Sequence, residues 1–133
     1  MPKERILIID KSPETRAMYA EYFRYHGYRV VEAADGAEGV RLFAQLQPDL
    51  VVTELSDEPE WARAIRLLRW PKTGGVTAVI ACSTWIDRNR PAAPAGIDVD
   101  VALPKPTSPR KLLRVAQELL ARGGASVPAV RTA

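Results

Sequence analysis

The chain has 133 residues, 47% of them hydrophobic and 26% charged, which is enough apolar material for one core and leaves little for a second domain. That balance excludes a chain disordered over most of its length, and a net charge of +3 is too small to point to nucleic acid. No apolar run approaches the ~20 residues of a bilayer-crossing helix, and the polar start "MPKER" lacks a signal-peptide core, so a soluble cytoplasmic protein with no membrane partner is expected.

Short apolar runs alternate with amphipathic stretches, the pattern of βαβ units around a parallel sheet. "RILIID" (5–10) predicts the first strand. Ser12 then serves as N-cap and Pro13 enters the first turn of a helix that stops at Gly27. Within it Tyr19, Tyr22, Phe23 and His26 recur at three and four, a stripe for packing on the sheet. "YRVVEA" (28–33) is the second strand, and "GAEGVRLFAQL" (36–46) is a helix with Val40, Phe43 and Ala44 on one side that ends before Pro48. "DLVVTE" (49–54) is the third strand, and it closes on Glu54, a carboxylate where the run leaves the core.

"EPEWARAIRLLRW" (58–70) predicts an amphipathic helix with Trp61, Ile65 and Leu68 aligned, ended by "PKTGG". "VTAVIACS" (76–83) is the fourth strand and holds the only cysteine, Cys82, so no internal disulfide can form and the thiol reads as a small buried hydrophobe. The slot for a further helix, 87–96, is broken by Pro91 and Pro94. "VDVAL" (99–103) is the fifth strand. The last helix, "SPRKLLRVAQELLARGG", repeats the Ser-Pro start at Ser108 and Pro109, turns Leu112, Val115, Ala116 and Leu119 inward, and stops at Gly123. One doubly wound α/β domain over 1–122 and a flexible tail over 123–133 are expected.

In such sheets ligands bind outside the carboxyl ends of the strands. Those ends bring Asp10, Lys11, Glu54, Ser83, Thr84 and Lys105 toward one place. Two carboxylates, a hydroxyl and a lysine suit a site for a phosphoryl group or a metal.

Through "ILIIDKSPETR", "HGYRVVEAADGAEGV", "PDLVVTE", "AVIACST" and "LPKPTSPRKLL", in that order from about Arg5 to Leu120, the chain resembles the receiver domains of bacterial response regulators in two-component signalling. The resemblance implies a flavodoxin-like five-stranded parallel sheet in the order 2-1-3-4-5. It places Glu54 at the phosphoacceptor position, Ser83 at the hydroxyl position, Lys105 at the lysine position and Asp10 at the first position of the acidic pair that binds magnesium. The chain departs from the family pattern at several points. Lys11 fills the second acidic position, the acceptor is glutamate, the aromatic switch position holds Ala102, and "LSDEPEW" replaces the usual loop after the acceptor.

A lysine charge ~4 Å from a dication is repelled by roughly 8 kcal/mol at an effective dielectric near 20, so magnesium binding is expected to be lost or weak and no cofactor is assigned. Instead Lys11 and Lys105 are expected to neutralise the carboxylates. The extra methylene of Glu54 moves its carboxylate by roughly an ångström, enough to spoil an aligned attack. The expectation is therefore a non-enzymatic, atypical receiver acting as a protein interaction module. Its partner would be a sensor kinase, an output protein, or a second copy meeting it through the fourth-helix slot, strand five and the last helix. The rival readings are a magnesium-dependent phosphoacceptor using Glu54 or Asp57, and a polyanion-binding module built on Arg110, Lys111, Arg114, Arg122 and Arg131, a charge run that otherwise reads as a solvated face. Each site residue also has a plainer reading: Asp10 as a turn cap, Lys11 as a solvated lysine, Ser83 as a strand-end hydroxyl and Glu54 as a solvated residue at a sheet edge.

Overall fold

The computed structural model describes residues 3–54, 77–83 and 99–122. The helix predicted over 58–70, the proline-broken slot at 87–96, the tail at 123–133, and with them Asp57, Trp61, Trp70, Thr84 and Trp85, lie outside the described residues, as does the side chain of Ser83.

Among the described residues eight elements follow in chain order: β1 (Arg5–Ile9), α1 (Pro13–Tyr25), β2 (Arg29–Ala33), α2 (Gly36–Leu46), β3 (Leu50–Glu54), β4 (Ala78–Ser83), β5 (Val101–Pro104) and α3 (Pro109–Ala121). The strands form one parallel sheet in the order β2-β1-β3-β4-β5, the flavodoxin-like order. Side chains alternate between its faces with the two-residue period of a strand. Ile6, Ile8, Val52, Ile80 and Leu103 point to one face, where α1 and α3 cover them with Tyr19, Phe23, Leu112 and Leu119. Leu7, Ile9, Val51, Val79 and Ala102 point to the other, against Phe43 and Leu42 of α2. Four of the five residues of β3 carry no charge and all five are buried, which is why the run "LVVT" is continuous in apolar or β-branched character.

The helix ends follow local chemistry. Ser12 accepts from the Thr15 N–H at 3.3 Å and Ser108 from the Lys111 N–H at 3.1 Å, each just before a proline in the first turn. Asp35 caps α2 by accepting from the Glu38 N–H at 2.8 Å, a cap the sequence reading passed over. Gly27 takes φ +93°, the left-handed conformation in which glycine ends a helix without strain.

Two packing expectations change. Ala44 was expected on the inner side of α2 and is exposed; Gly36, Gly39 and Phe43 are the buried residues instead. A Cβ on Gly39 would fall 2.4 Å from Ile9 Cδ1, so it is the absence of a side chain that lets α2 lie close to β1. His26 was expected in the α1 stripe on the sheet, but its ring lies against Tyr22 and Tyr25 at centroid distances of 4.8 and 5.2 Å, and Ala20 fills the place in the core.

Candidate functional site

The site lies at the carboxyl ends of β1, β3 and β5. Asp10 follows β1, and its N–H continues the ladder to the Ala33 carbonyl at 3.1 Å, which fixes the direction in which its side chain leaves the sheet. Glu54 ends β3, an inner strand, so its carboxylate stands over the sheet and is buried; the sheet-edge reading of this residue fails. Lys105 follows β5 in the loop to α3, across a cis bond to Pro106.

These three side chains meet. Lys105 Nζ donates to Asp10 Oδ2 at 2.9 Å and to Glu54 Oε2 at 3.3 Å. The remaining carboxylate oxygens are also engaged: Asp10 Oδ1 accepts from the Ser12 N–H at 2.8 Å and Glu54 Oε1 from the Lys11 N–H at 2.9 Å. Asp10 therefore both caps the turn into α1 and holds the lysine. Side-chain exposure is 5% for Asp10, 9% for Glu54 and 18% for Lys105, so the charges interact across poorly screened space. Burial by itself works against the lysine's charge, but the hydrogen bond and charge of Asp10, followed by the charge and hydrogen bond of Glu54, outweigh it and hold the ammonium above its ordinary pKa of 10.5. With two carboxylates and one ammonium the cluster carries a formal charge of −1.

Lys11 joins the site differently from the expectation. Its main-chain N–H holds Glu54, while its side chain is exposed and makes no ion pair among the described residues. The backbone is committed to the turn that begins α1, and a long stem leaving that turn is free to carry its charge into water. One lysine, not two, thus neutralises the carboxylates. Ala102, which the resemblance puts at the switch position, is fully buried in the core on the α2 side of the sheet. Ser83 ends β4, paired in register with Pro104.

Three residues that sequence reasoning missed hold the site in place. Arg16 donates to the Asp10 carbonyl at 2.7 Å and pairs with Glu32 of β2 at 3.4 Å, tying the end of β1 to the edge strand. The buried Tyr19 hydroxyl donates to the Thr107 carbonyl at 2.7 Å, and the Thr107 hydroxyl donates to the Pro104 carbonyl, so α1 pins the loop that carries Lys105. Sequence periodicity shows Tyr19 only as part of the packing stripe, and its pKa is raised by burial first and by the neighbouring Cys82 and Asp10 next. Cys82 lies in the same core, and burial pushes its thiol up to about 12. The one available signal was the "KPTSPR" run, whose hydroxyls suit a tight turn.

No helix among the described residues is long and apolar enough to cross a membrane. The family model for the response regulator receiver domain matches residues 6–117. A probable transcriptional regulator, ycf27 of Porphyridium aerugineum, is 40% identical over 55 residues, 41% of this chain and 23% of that protein, so the match spans less than a quarter of the regulator. Protein Rrf1 of Nitratidesulfovibrio vulgaris is 26% identical over 129 residues, covering 93% of this chain and 88% of the relative. The solution structure of a response regulator protein from Burkholderia multivorans superposes with a TM-score of 0.72 at 28% identity, covering 88% of this chain and 94% of the other.

Proposed function

Because the chain belongs to the response regulator receiver domain family of two-component signalling, we propose that it is an atypical receiver that acts as a protein interaction module without the standard phosphorylation cycle. The observation that carries this reading is the placement of Lys105 between Asp10 and Glu54, with every carboxylate oxygen of the pair already accepting a hydrogen bond.

The magnesium site implied by the family is a poor fit to these residues. Magnesium seeks near-octahedral oxygen coordination with one or two carboxylates. Here an ammonium stands against both carboxylates, and the second acidic position is a lysine whose main chain holds Glu54. Among the described residues no group of three or more His, Cys, Asp or Glu side chains gathers for a metal. A phosphoryl group adds nearly two negative charges. Placed on Glu54 it would meet the Asp10 carboxylate with one lysine as its only close counter-charge among the described residues, which opposes transfer.

Glu54 in this reading is a standing negative charge, and Ala102 removes an aromatic side chain through which a change at the site would be transmitted. The domain then presents one conformation to a sensor kinase or an output protein, and binding replaces chemistry as its contribution. The test is to incubate the chain with magnesium and a small-molecule phosphodonor and weigh the intact protein. Unchanged mass is expected. A phosphoryl group mapped to Glu54, or to Asp57, would overturn the reading.

A further inference from the structure

We propose that the outward face shared by α1 and α3 is a self-complementary surface on which a second copy of this chain docks. The large hydrophobic side chains left exposed among the described residues, Met18 at 44% and Tyr25 at 85%, both lie on α1. They are seven residues apart with Tyr22 between them, so all three share one stripe of the helix. Beside that stripe run two exposed carboxylates, Glu14 and Glu21. α3 packs alongside α1 on the same sheet face and turns Arg110, Lys111 and Arg114 toward the same side.

Two adjoining surface grooves record this layout. One, of about 470 Å³, is lined by Glu14, Met18, Glu21 and Tyr22; the other, of about 600 Å³, by Tyr22, Arg110, Lys111 and Arg114. Tyr22 is common to both, so the face reads acidic edge, apolar seam, basic edge. None of these five charges forms an ion pair among the described residues. Arg16 and Arg24 of α1, by contrast, both pair with Glu32.

The ordering of the charges selects the occupant. A face with acid on one side of an apolar seam and base on the other matches a copy of itself turned by a two-fold axis along the seam, which sets α1 of each protomer against α3 of its partner. Met18 and Tyr22 then close the middle and Glu14 and Glu21 face the partner's arginines. The face is small. Two helices of 13 residues, each ~20 Å long and ~10 Å apart, offer on the order of 400 Å² per copy against the ~800 Å² of a standard interface, so the dimer is weak and salt-sensitive. It differs from the surface expected from the sequence, which joined the last helix to strand five and the fourth-helix slot. It depends on nothing at Glu54.

Sedimentation velocity of the full chain across the micromolar range, at low and high salt, tests this. A reversible dimer that dissociates as salt rises is expected. Glu14→Arg with Glu21→Arg, and Arg110→Glu with Arg114→Glu, should each weaken self-association by about tenfold or more, leave the circular dichroism spectrum unchanged, and restore a dimer when the two variants are mixed. The same loss should come from Met18→Glu, which touches no charge pair. A chain that stays monomeric at every concentration, a dimer indifferent to these substitutions, or a mixture of the two charge-reversed proteins that stays monomeric, would each overturn the proposal.

Discussion

Lys105 and Asp10, 95 positions apart in the chain, meet at 2.9 Å at the carboxyl edge of the sheet, and the same ammonium reaches Glu54 at 3.3 Å. One cation delivered by the β5–α3 loop thus balances carboxylates delivered by two other strands. Removing it would leave two buried anions facing each other.

Lys105→Met should therefore cost about 3 kcal/mol, the scale for breaking a buried pair by deleting one partner. The triple variant Asp10→Asn, Glu54→Gln, Lys105→Met removes every charge together and should recover more than half of that loss. Urea unfolding of the parent, Lys105→Met, the Asp10→Asn with Glu54→Gln pair and the triple variant measures the coupling. A single variant within a few tenths of a kcal/mol of the parent would mean that the cluster is solvated, contrary to its burial.

Stability should be level through neutral pH and decline above pH ~9. The Cys82 thiol, ordinarily 9.0, holds its proton up to about 12 when folded, and Lys105 holds its own beyond its ordinary 10.5. In both cases the unfolded chain releases the proton first as pH climbs, so the folded state loses its advantage over that window, at up to ~1.4 kcal/mol per pH unit for each group. Cys82→Ala should flatten the onset between pH 9 and 10 and leave the later decline. Thermal melts of both proteins across that range compare the slopes, and identical curves would count against the burial of the thiol as the cause.

Gly39→Ala raises intrinsic helix propensity by about 1 kcal/mol, yet the new methyl would sit 2.4 Å from Ile9 Cδ1 and 2.9 Å from Ile9 Cγ1. Overpacking of this kind costs typically ~1–3 kcal/mol, so a net loss is expected. Ile9→Val deletes the nearer atom and should be less harmful in the Gly39→Ala background than in the parent. Chemical denaturation reads this sign directly.

Lys11→Asp combined with Glu54→Asp tests the proposed loss of magnesium binding. It adds a third carboxylate beside Asp10 and shortens the acceptor by one methylene, supplying oxygens that the parent lacks. Magnesium titration followed by calorimetry should show binding in the double variant at concentrations where the parent shows none. A parent that binds equally well would overturn the proposed loss of magnesium binding.

Among the described residues, the strands, the sheet class and most helix ends were legible in the sequence, because each rests on neighbours in the chain. "LVVTE" must be buried on both faces, Ser12 and Ser108 reach amides three residues on, and Gly36–Leu46 ends before Pro48. It also brought Asp10, Glu54 and Lys105 to one edge, since the carboxyl ends of parallel strands share that edge whatever the side chains do. Tertiary structure alone decided which lysine serves the carboxylates. The ammonium of Lys105 is delivered across the site by a loop that Tyr19 pins from 88 residues away, whereas Lys11 begins a turn that spends its N–H on Glu54 and leaves its side chain in water. Tertiary structure likewise decided that Gly39 rather than Ala44 faces the sheet. Contacts of that kind depend on the distance between loops and layers, which no local pattern encodes.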